Sequence, residues 1–325
     1  MGFRRFRGDR AAALLGAAGL LVGAFAAADA TAAAGRPQGR AQAQAQPRLP
    51  ARALAASGDD CSGQSLRPTA GPQDGPNVQR IRQRGRLIAG IDTNSFNWGY
   101  RNPQTGALTG FDIDLVHAIA KALLGDPNAV DFLAVPTAKR VEALQDGTVD
   151  IVVRTMTINC ERAKQVSFSA PYFTAGQQVV APVADQGITG FDSSLKGKRV
   201  CAASGSTAWQ NFVAENTLGA TPVPVANQLD CLVQMQLGNV DATVTDNALG
   251  AGQVAQDPSV HLVGGPLDTE YYGVAVKLGS DDLVRRVNAV LEQYAATQWQ
   301  AEYGKWLKQS MGGRDAVPPA PRYRD

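Results

Sequence analysis

From about residue 85 to 310, short apolar runs alternate with longer stretches whose apolar residues recur at helical spacing. Residues 87–91 are short and apolar and predict a buried strand. Gly110-Phe111-Asp112-Ile113-Asp114 predicts a helix start, with acids in the first turn where the macrodipole favours them. Phe111, Leu115, Ala118 and Ala122, with Val116, Ile119 and Leu123 beside them, give that helix its buried face. Residues 130–135 predict a second strand. Thr137 is placed to cap a helix containing Val141 and Leu144, which Gly147 ends. Residues 149–153 predict a third strand. The rhythm resumes at 199–203 with a strand, then a helix with Trp209 and Phe212. A helix with Leu229, Leu232, Val233 and Leu237 follows, and a strand at 241–245. Strands alternating with single helices predict mainly parallel sheets covered on both faces.

The alternation breaks once. After Ser169-Ala170-Pro171-Tyr172, residues 177–183 are extended, with no helix before the next unit. A similar extended piece, 270–277, precedes two helices at 281–296 and 297–309. Two extended crossings between two α/β units predict discontinuous lobes. A ligand would sit in the cleft between them, where strand carboxyl ends meet helix N-termini.

Composition sharpens this. The 325 residues are 44% hydrophobic and 18% charged, with a formal net charge of +2. That balance lacks the basic footprint of a nucleic-acid partner. Arg4, Arg5, Arg7 and Arg10 precede an uncharged apolar run over 11–28, and Ala28-Asp29-Ala30 offers small residues at the positions an export peptidase reads. This predicts a signal peptide over 1–30. The run also reaches the lower limit for spanning a bilayer, so an uncleaved anchor is the alternative. Either way the folded part is extracytoplasmic. Residues 31–76, rich in Ala, Gln, Arg, Pro and Gly, predict a disordered linker, and 312–325 a C-terminal tail. The four cysteines are Cys61, Cys160, Cys201 and Cys231, with no C-x-x-C pair. An even count in an exported chain predicts two disulfides; buried free thiols are the plainer alternative.

Six motifs then appear in order: Gly85-Arg86-Leu87-Ile88-Ala89-Gly90, Thr109-Gly110-Phe111-Asp112-Ile113-Asp114, Leu144-Gln145-Asp146-Gly147-Thr148-Val149-Asp150, Thr155-Met156-Thr157-Ile158-Asn159-Cys160-Glu161-Arg162, Val166-Ser167-Phe168-Ser169-Ala170-Pro171-Tyr172, and Tyr272-Gly273-Val274-Ala275-Val276. With them the chain, from about Arg84 to Leu307, resembles the family-3 periplasmic amino-acid-binding proteins of ABC transporters. More narrowly, it looks like the actinobacterial glutamate/glutamine-type members, which share the cysteine after Thr-x-Thr-Ile (Cys160), the pair at Cys201 and Cys231, and a tail like Pro321-Arg322-Tyr323. The resemblance implies a two-lobe, type II periplasmic-binding-protein-like α/β fold with two extended hinge strands. Lobe 1 would comprise 77–172 and 273–311, lobe 2 would comprise 177–268, and the hinges would lie at 173–176 and 269–272. Cys201 is then expected to pair with Cys231, joining a strand to the adjacent helix, and Cys61 with Cys160.

The resemblance also assigns roles. A zwitterionic amino acid needs a bidentate cation and N–H donors for its carboxylate, and an acid for its ammonium. Arg162 matches the carboxylate clamp, since guanidinium presents a planar fork; otherwise it is a surface partner of Glu161. Thr157 matches a position that offers hydroxyl and amide, Thr155 one that offers backbone. In lobe 2, Ser206 and Thr207 lie on a Gly-Ser turn that can present N–H groups to an anion or simply cap a helix. Asp246 matches the ammonium-binding acid, its alternative being an N-cap, and Asp92 matches a second acid near the ammonium. Arg140 matches an arginine that pairs with a distal carboxylate in glutamate/aspartate-binding relatives. Arg154 is a second possible cation, or an outward-facing strand residue. Phe96 and Trp98 lie where relatives place a stacking aromatic, while Thr137 replaces another, which fits a polar ligand.

No catalytic motif competes. The two histidines, His117 and His261, have no nucleophile at readable spacing, and no Walker loop, G-x-S-x-G or H-E-x-x-H occurs. The expectation is therefore a monomeric binding protein with no cofactor and no metal, which takes glutamate/aspartate, or glutamine/asparagine, to a permease. A sensor docking on a membrane signalling protein uses the same parts, and a cyclohexadienyl dehydratase-like enzyme uses the same fold.

Overall fold

The structure, a computed structural model, describes Cys61, residues 64–214 and residues 217–324. The expected signal peptide and most of the expected linker lie outside the described residues. Among the described residues no helix is long and apolar enough to cross a membrane.

Two five-stranded sheets organise the chain. In the first, Leu87–Ile91 pairs in parallel with Val130–Ala134 on one side and Ile151–Val152 on the other. Glu270–Lys277 follows, antiparallel to Ile151–Val152 and to Val166–Ala175. In the second, Arg199–Ala203 sits between the parallel strands Thr221–Val225 and Ala242–Asp246. Gln177–Pro182 runs antiparallel to Ala242–Asp246, and Val260–Val263 closes the edge. The chain passes from the first sheet to the second at Gly176 and returns between Val263 and Glu270. This is the two-lobed α/β architecture expected. Each sheet has a strand flanked on both sides by parallel neighbours that follow it in the chain, which leaves a crevice at the strand carboxyl ends.

Helix Phe111–Leu124 buries Phe111, Leu115, Val116, Ile119 and Leu123 against the first sheet and stops at left-handed Gly125. The same core takes in Trp98, Tyr172, Tyr272, Tyr294 and Trp299, with Ala248 and Leu249 from the second lobe. The second lobe has its own core around Val179, Val200, Phe212 and Val244. Cys201 pairs with Cys231 across a Cα separation of 5.7 Å, and Cys61 with Cys160 at 5.1 Å.

Some local expectations change. The segment with Trp209 and Phe212 is a short wide turn of helix, Trp209–Val213. Thr137 opens a single 3-10 turn, and its hydroxyl makes no cap. A small three-stranded sheet, Asn94–Ser95, Gly99–Arg101 and Leu108–Thr109, holds Phe96 and Trp98. Residues 64–75, placed in the linker by their composition, are ordered. Gln64–Ser65 forms a parallel pair with Arg322–Tyr323 of the tail. Asn288, wholly buried on helix Asp281–Thr297, explains why. Its amide donates to Ser65 Oγ at 2.8 Å and to the Leu66 carbonyl at 2.7 Å, while its carbonyl accepts from Ala170 N–H at 2.7 Å. Composition carried no trace of partners more than two hundred residues away.

Candidate ligand-binding site

Four strand ends converge between the lobes. Asp92 follows Leu87–Ile91, Arg154 and Thr155 follow Ile151–Val152, the Ser204-Gly205-Ser206 turn follows Arg199–Ala203, and Asp246 ends Ala242–Asp246. The residues gathered there are polar and deeply buried. Asp92, Thr137, Arg140, Arg154, Thr155, Thr157, Arg162, Gln177, Thr207, Asp246 and Glu270 are each at most 6% exposed.

The three arginines differ in how they are held. Arg154 ion-pairs with Asp92 at 3.0 Å and also donates to Thr137 Oγ1 at 2.9 Å and Asn227 Oδ1 at 3.0 Å. It faces inward, not outward, but its charge is matched. Arg140 donates to the carbonyls of Thr137 (2.9 Å), Arg154 (3.3 Å) and Gly205 (3.2 Å). Arg162 donates to the carbonyls of Thr157 (2.8 Å) and Gly205 (3.0 Å). Among the described residues neither Arg140 nor Arg162 has a carboxylate within ion-pair distance. Burial, and then its arginine neighbours, push the Arg140 pKa well below its ordinary value, and burial lowers that of Arg162. Both forks meet at the Gly205 carbonyl, a second-lobe group reached by two first-lobe cations.

The acids gather beside them, linked through Thr157. Thr157 Oγ1 donates to Glu270 Oε2 at 2.6 Å, and Thr207 Oγ1 donates to the same oxygen at 3.1 Å. Gln177 Nε2 donates to Asp246 Oδ1 and, at 3.1 Å, to Thr207 Oγ1. Asp246 does not cap helix Asn247–Gln256; its carboxylate turns into this cluster. Burial raises the Asp246 pKa, and burial with the charge of Asp246 raises that of Glu270 to about 7.

Several expected residues are engaged by other protein groups or packed into the core. Asp92 accepts from Thr93 N, Asn94 N, Ser95 Oγ and Arg154, so its partners are all protein groups. Ser206 donates its N–H and its hydroxyl to the Ala203 carbonyl, and its oxygen caps Trp209 N–H, which leaves it no donor for an anion. Thr155 gives its N–H to Asp112 Oδ2 at 3.0 Å and holds a left-handed φ of 41°. Asp112, clamped also by Tyr172 Oη, has its pKa raised by burial to about 7. Trp98 packs edge-on against Phe173 and Tyr272, at 4.8 and 5.6 Å, and donates Nε1 to the Ala248 carbonyl. It is core rather than lid. Phe96 packs edge-on against Tyr100 at 5.2 Å, with its carbonyl so near Gly252 that a Cβ there would lie 2.8 Å away. Sequence reasoning did not single out Glu270, Gln177 or Gln228, whose Oε1 accepts from Thr137 Oγ1 at 3.1 Å. The extended pieces 177–183 and 270–277 were legible as crossings; that each opens on a polar residue was the available signal.

Among the described residues no three His, Cys, Asp or Glu side chains are placed to hold a metal ion. The arrangement offers two cations for carboxylates and, beside them, an acidic cluster for a cation.

Comparison with known proteins accords with that chemistry. Residues 87–309 match the bacterial extracellular solute-binding proteins, family 3. The chain is 35% identical over 230 residues to the ABC transporter glutamine-binding protein GlnH of Bacillus subtilis, covering 70% of this chain and 84% of that protein. It is 29% identical over 243 residues to an L-glutamate/L-aspartate-binding protein of Pseudomonas aeruginosa, covering 71% and 80%. Among solved structures, an ancestral arginine-binding protein bound to glutamine is similar with a TM-score of 0.64 and 37% identity, over 69% of this chain and 98% of that one.

Proposed function

This chain belongs to the bacterial extracellular solute-binding proteins of family 3, and from that premise we propose that it captures a free acidic amino acid, glutamate or aspartate, by lobe closure and delivers it to an ABC transporter permease. One observation carries the specificity: Arg140 and Arg162 are buried with no carboxylate partner among the described residues. Buried cations left on neutral carbonyls are costly. A dicarboxylic amino acid supplies two carboxylates, and Asp246 suits its ammonium. Arg162 takes the α-carboxylate and Arg140 the distal one. Ligand binding replaces the Gly205 carbonyl as the shared acceptor and draws both lobes onto one molecule.

An amide ligand is the second reading. Gln228 and Asn227 lie beside Arg154 and Thr137, and relatives include a glutamine-binding protein. Calorimetric titration separates the two. Arg162→Ala should weaken every α-amino acid by on the order of 2–5 kcal/mol. Arg140→Ala should weaken L-glutamate by thirty-fold or more, about 2 kcal/mol, and leave L-glutamine within a few-fold. Equal losses for both ligands in Arg140→Ala would place both arginines on the α-carboxylate and end the argument for an acidic ligand.

A further inference from the structure

We propose that Glu270 is a second carboxylate of the ammonium subsite, and that Asp246 and Glu270 hold one proton between them which leaves when the ligand's ammonium arrives. The proposal rests on the amino-acid reading above and assigns a residue and a proton to it.

Glu270 stands where the chain returns to the first sheet, on strand Glu270–Lys277, and is 5% exposed. One of its oxygens takes hydroxyls from both lobes, Thr157 and Thr207. Glu270 is tied to Asp246 through a chain of side chains: Thr207 Oγ1 donates to Glu270, Gln177 Nε2 donates to Thr207 Oγ1 and to Asp246 Oδ1, and the charge of Asp246 raises the Glu270 pKa. Two acids this close cannot both ionise cheaply in a buried site. The charged and titratable groups around them are few. Arg162, on helix Cys160–Ala163, attracts both acids, and Arg140 attracts Asp246, but the donors of both arginines go to carbonyls. Asp268, on the connection into the strand, is a third acid, pushed up to about 6 by burial and then by Glu270. Tyr272, on the same strand, has its phenol pKa raised by burial and by Asp246. Among the described residues no Lys or Arg lies within ion-pair distance of Asp246 or Glu270.

A second, independent sign points to a cation. Gln177 is 1% exposed and sits in this cluster, yet its Oε1 has no hydrogen-bond partner. That atom can accept. An ammonium brings three donors and a positive charge. Its arrival makes the doubly ionised pair favourable, so the shared proton passes to the solvent buffer as the ammonium's hydrogen bonds to Asp246 and Glu270 form. Affinity then rises with pH, by up to roughly tenfold per unit below the pair's apparent pKa, and levels above it.

The test is titration calorimetry of the whole protein with L-glutamate and L-glutamine, from pH 5.5 to 8.5, in buffers of different ionisation enthalpy. The wild type should release a proton fraction that peaks below pH 7 and vanishes at high pH. Glu270→Gln should release almost none, and its affinity should be flat with pH and at least tenfold weaker at pH 8. Glutarate, which lacks the ammonium, should release no proton from the wild type. Wild-type binding without proton release, which needs no variant to fold, would overturn the proposal. So would a Glu270→Gln protein with unchanged release. If no α-amino acid binds the wild type at all, the receptor reading itself fails, a different result from binding without a proton.

Discussion

Gly205 is where residue chemistry becomes lobe chemistry. Its carbonyl meets both Arg140 and Arg162, its φ is 77°, and a Cβ on it would lie 2.8 Å from Ala138 Cα of the first lobe. Gly205→Ala therefore strains the turn and props the lobes apart. It should weaken all amino acids by roughly tenfold, about 1.4 kcal/mol. Strain at the turn should lower the melting temperature only slightly, since left-handed backbone costs about 1–2 kcal/mol per non-glycine residue. A normal affinity would mean that closure does not need the close approach of Gly205 to Ala138. Titration adds a second outcome. Asp112, Asp268 and Glu270 bind protons more tightly folded than unfolded, with pKa values raised to about 7, 6 and 7. The stability they contribute is complete below the ordinary carboxylate range and is lost as pH rises through about 7. The ligand-free melting temperature should fall between pH 5 and 8, and saturating ligand should shrink that fall.

Among the elements, the strands and helices with a clean period were readable: Leu87–Ile91, Arg199–Ala203 and Glu270–Lys277 match their apolar runs. What escaped depends on long-range partners. Thr137 looked like a cap, yet its hydroxyl serves Arg154 and Gln228 instead. Trp98 looked like a lid, but its short sheet turns the ring into the core, where edge-to-face packing and a carbonyl for Nε1 outweigh exposure. Arg162 was legible because a motif marks it, and Asp246 because the family resemblance matches its position. Glu270 was not, because its meaning arises only where both sheets meet. Two outcomes test this scale. Asn288→Ala leaves three groups around Ser65, Leu66 and Ala170 without their partner. It should cost about 2–4 kcal/mol by chemical denaturation. Reducing the Cys201–Cys231 bridge, or Cys201→Ser with Cys231→Ser, should cost about 3–4 kcal/mol in the chain-entropy description of its loop of 30 residues.

For the whole molecule, the fold gathers cations and acids into one interlobe site, a charge set that suits the proposed acidic amino acid. Neither lobe alone suffices: Arg140, Arg162 and Glu270 belong to the first sheet's lobe, Thr207 and Asp246 to the second's. The most direct measurement is one calorimetric series of the unmutated protein with L-glutamate, L-aspartate, L-glutamine, L-asparagine and L-arginine at pH 8. The account predicts that an acidic amino acid binds tightest, at least tenfold over its amide and further over L-arginine. Tightest binding of L-arginine or of a neutral amino acid would contradict it.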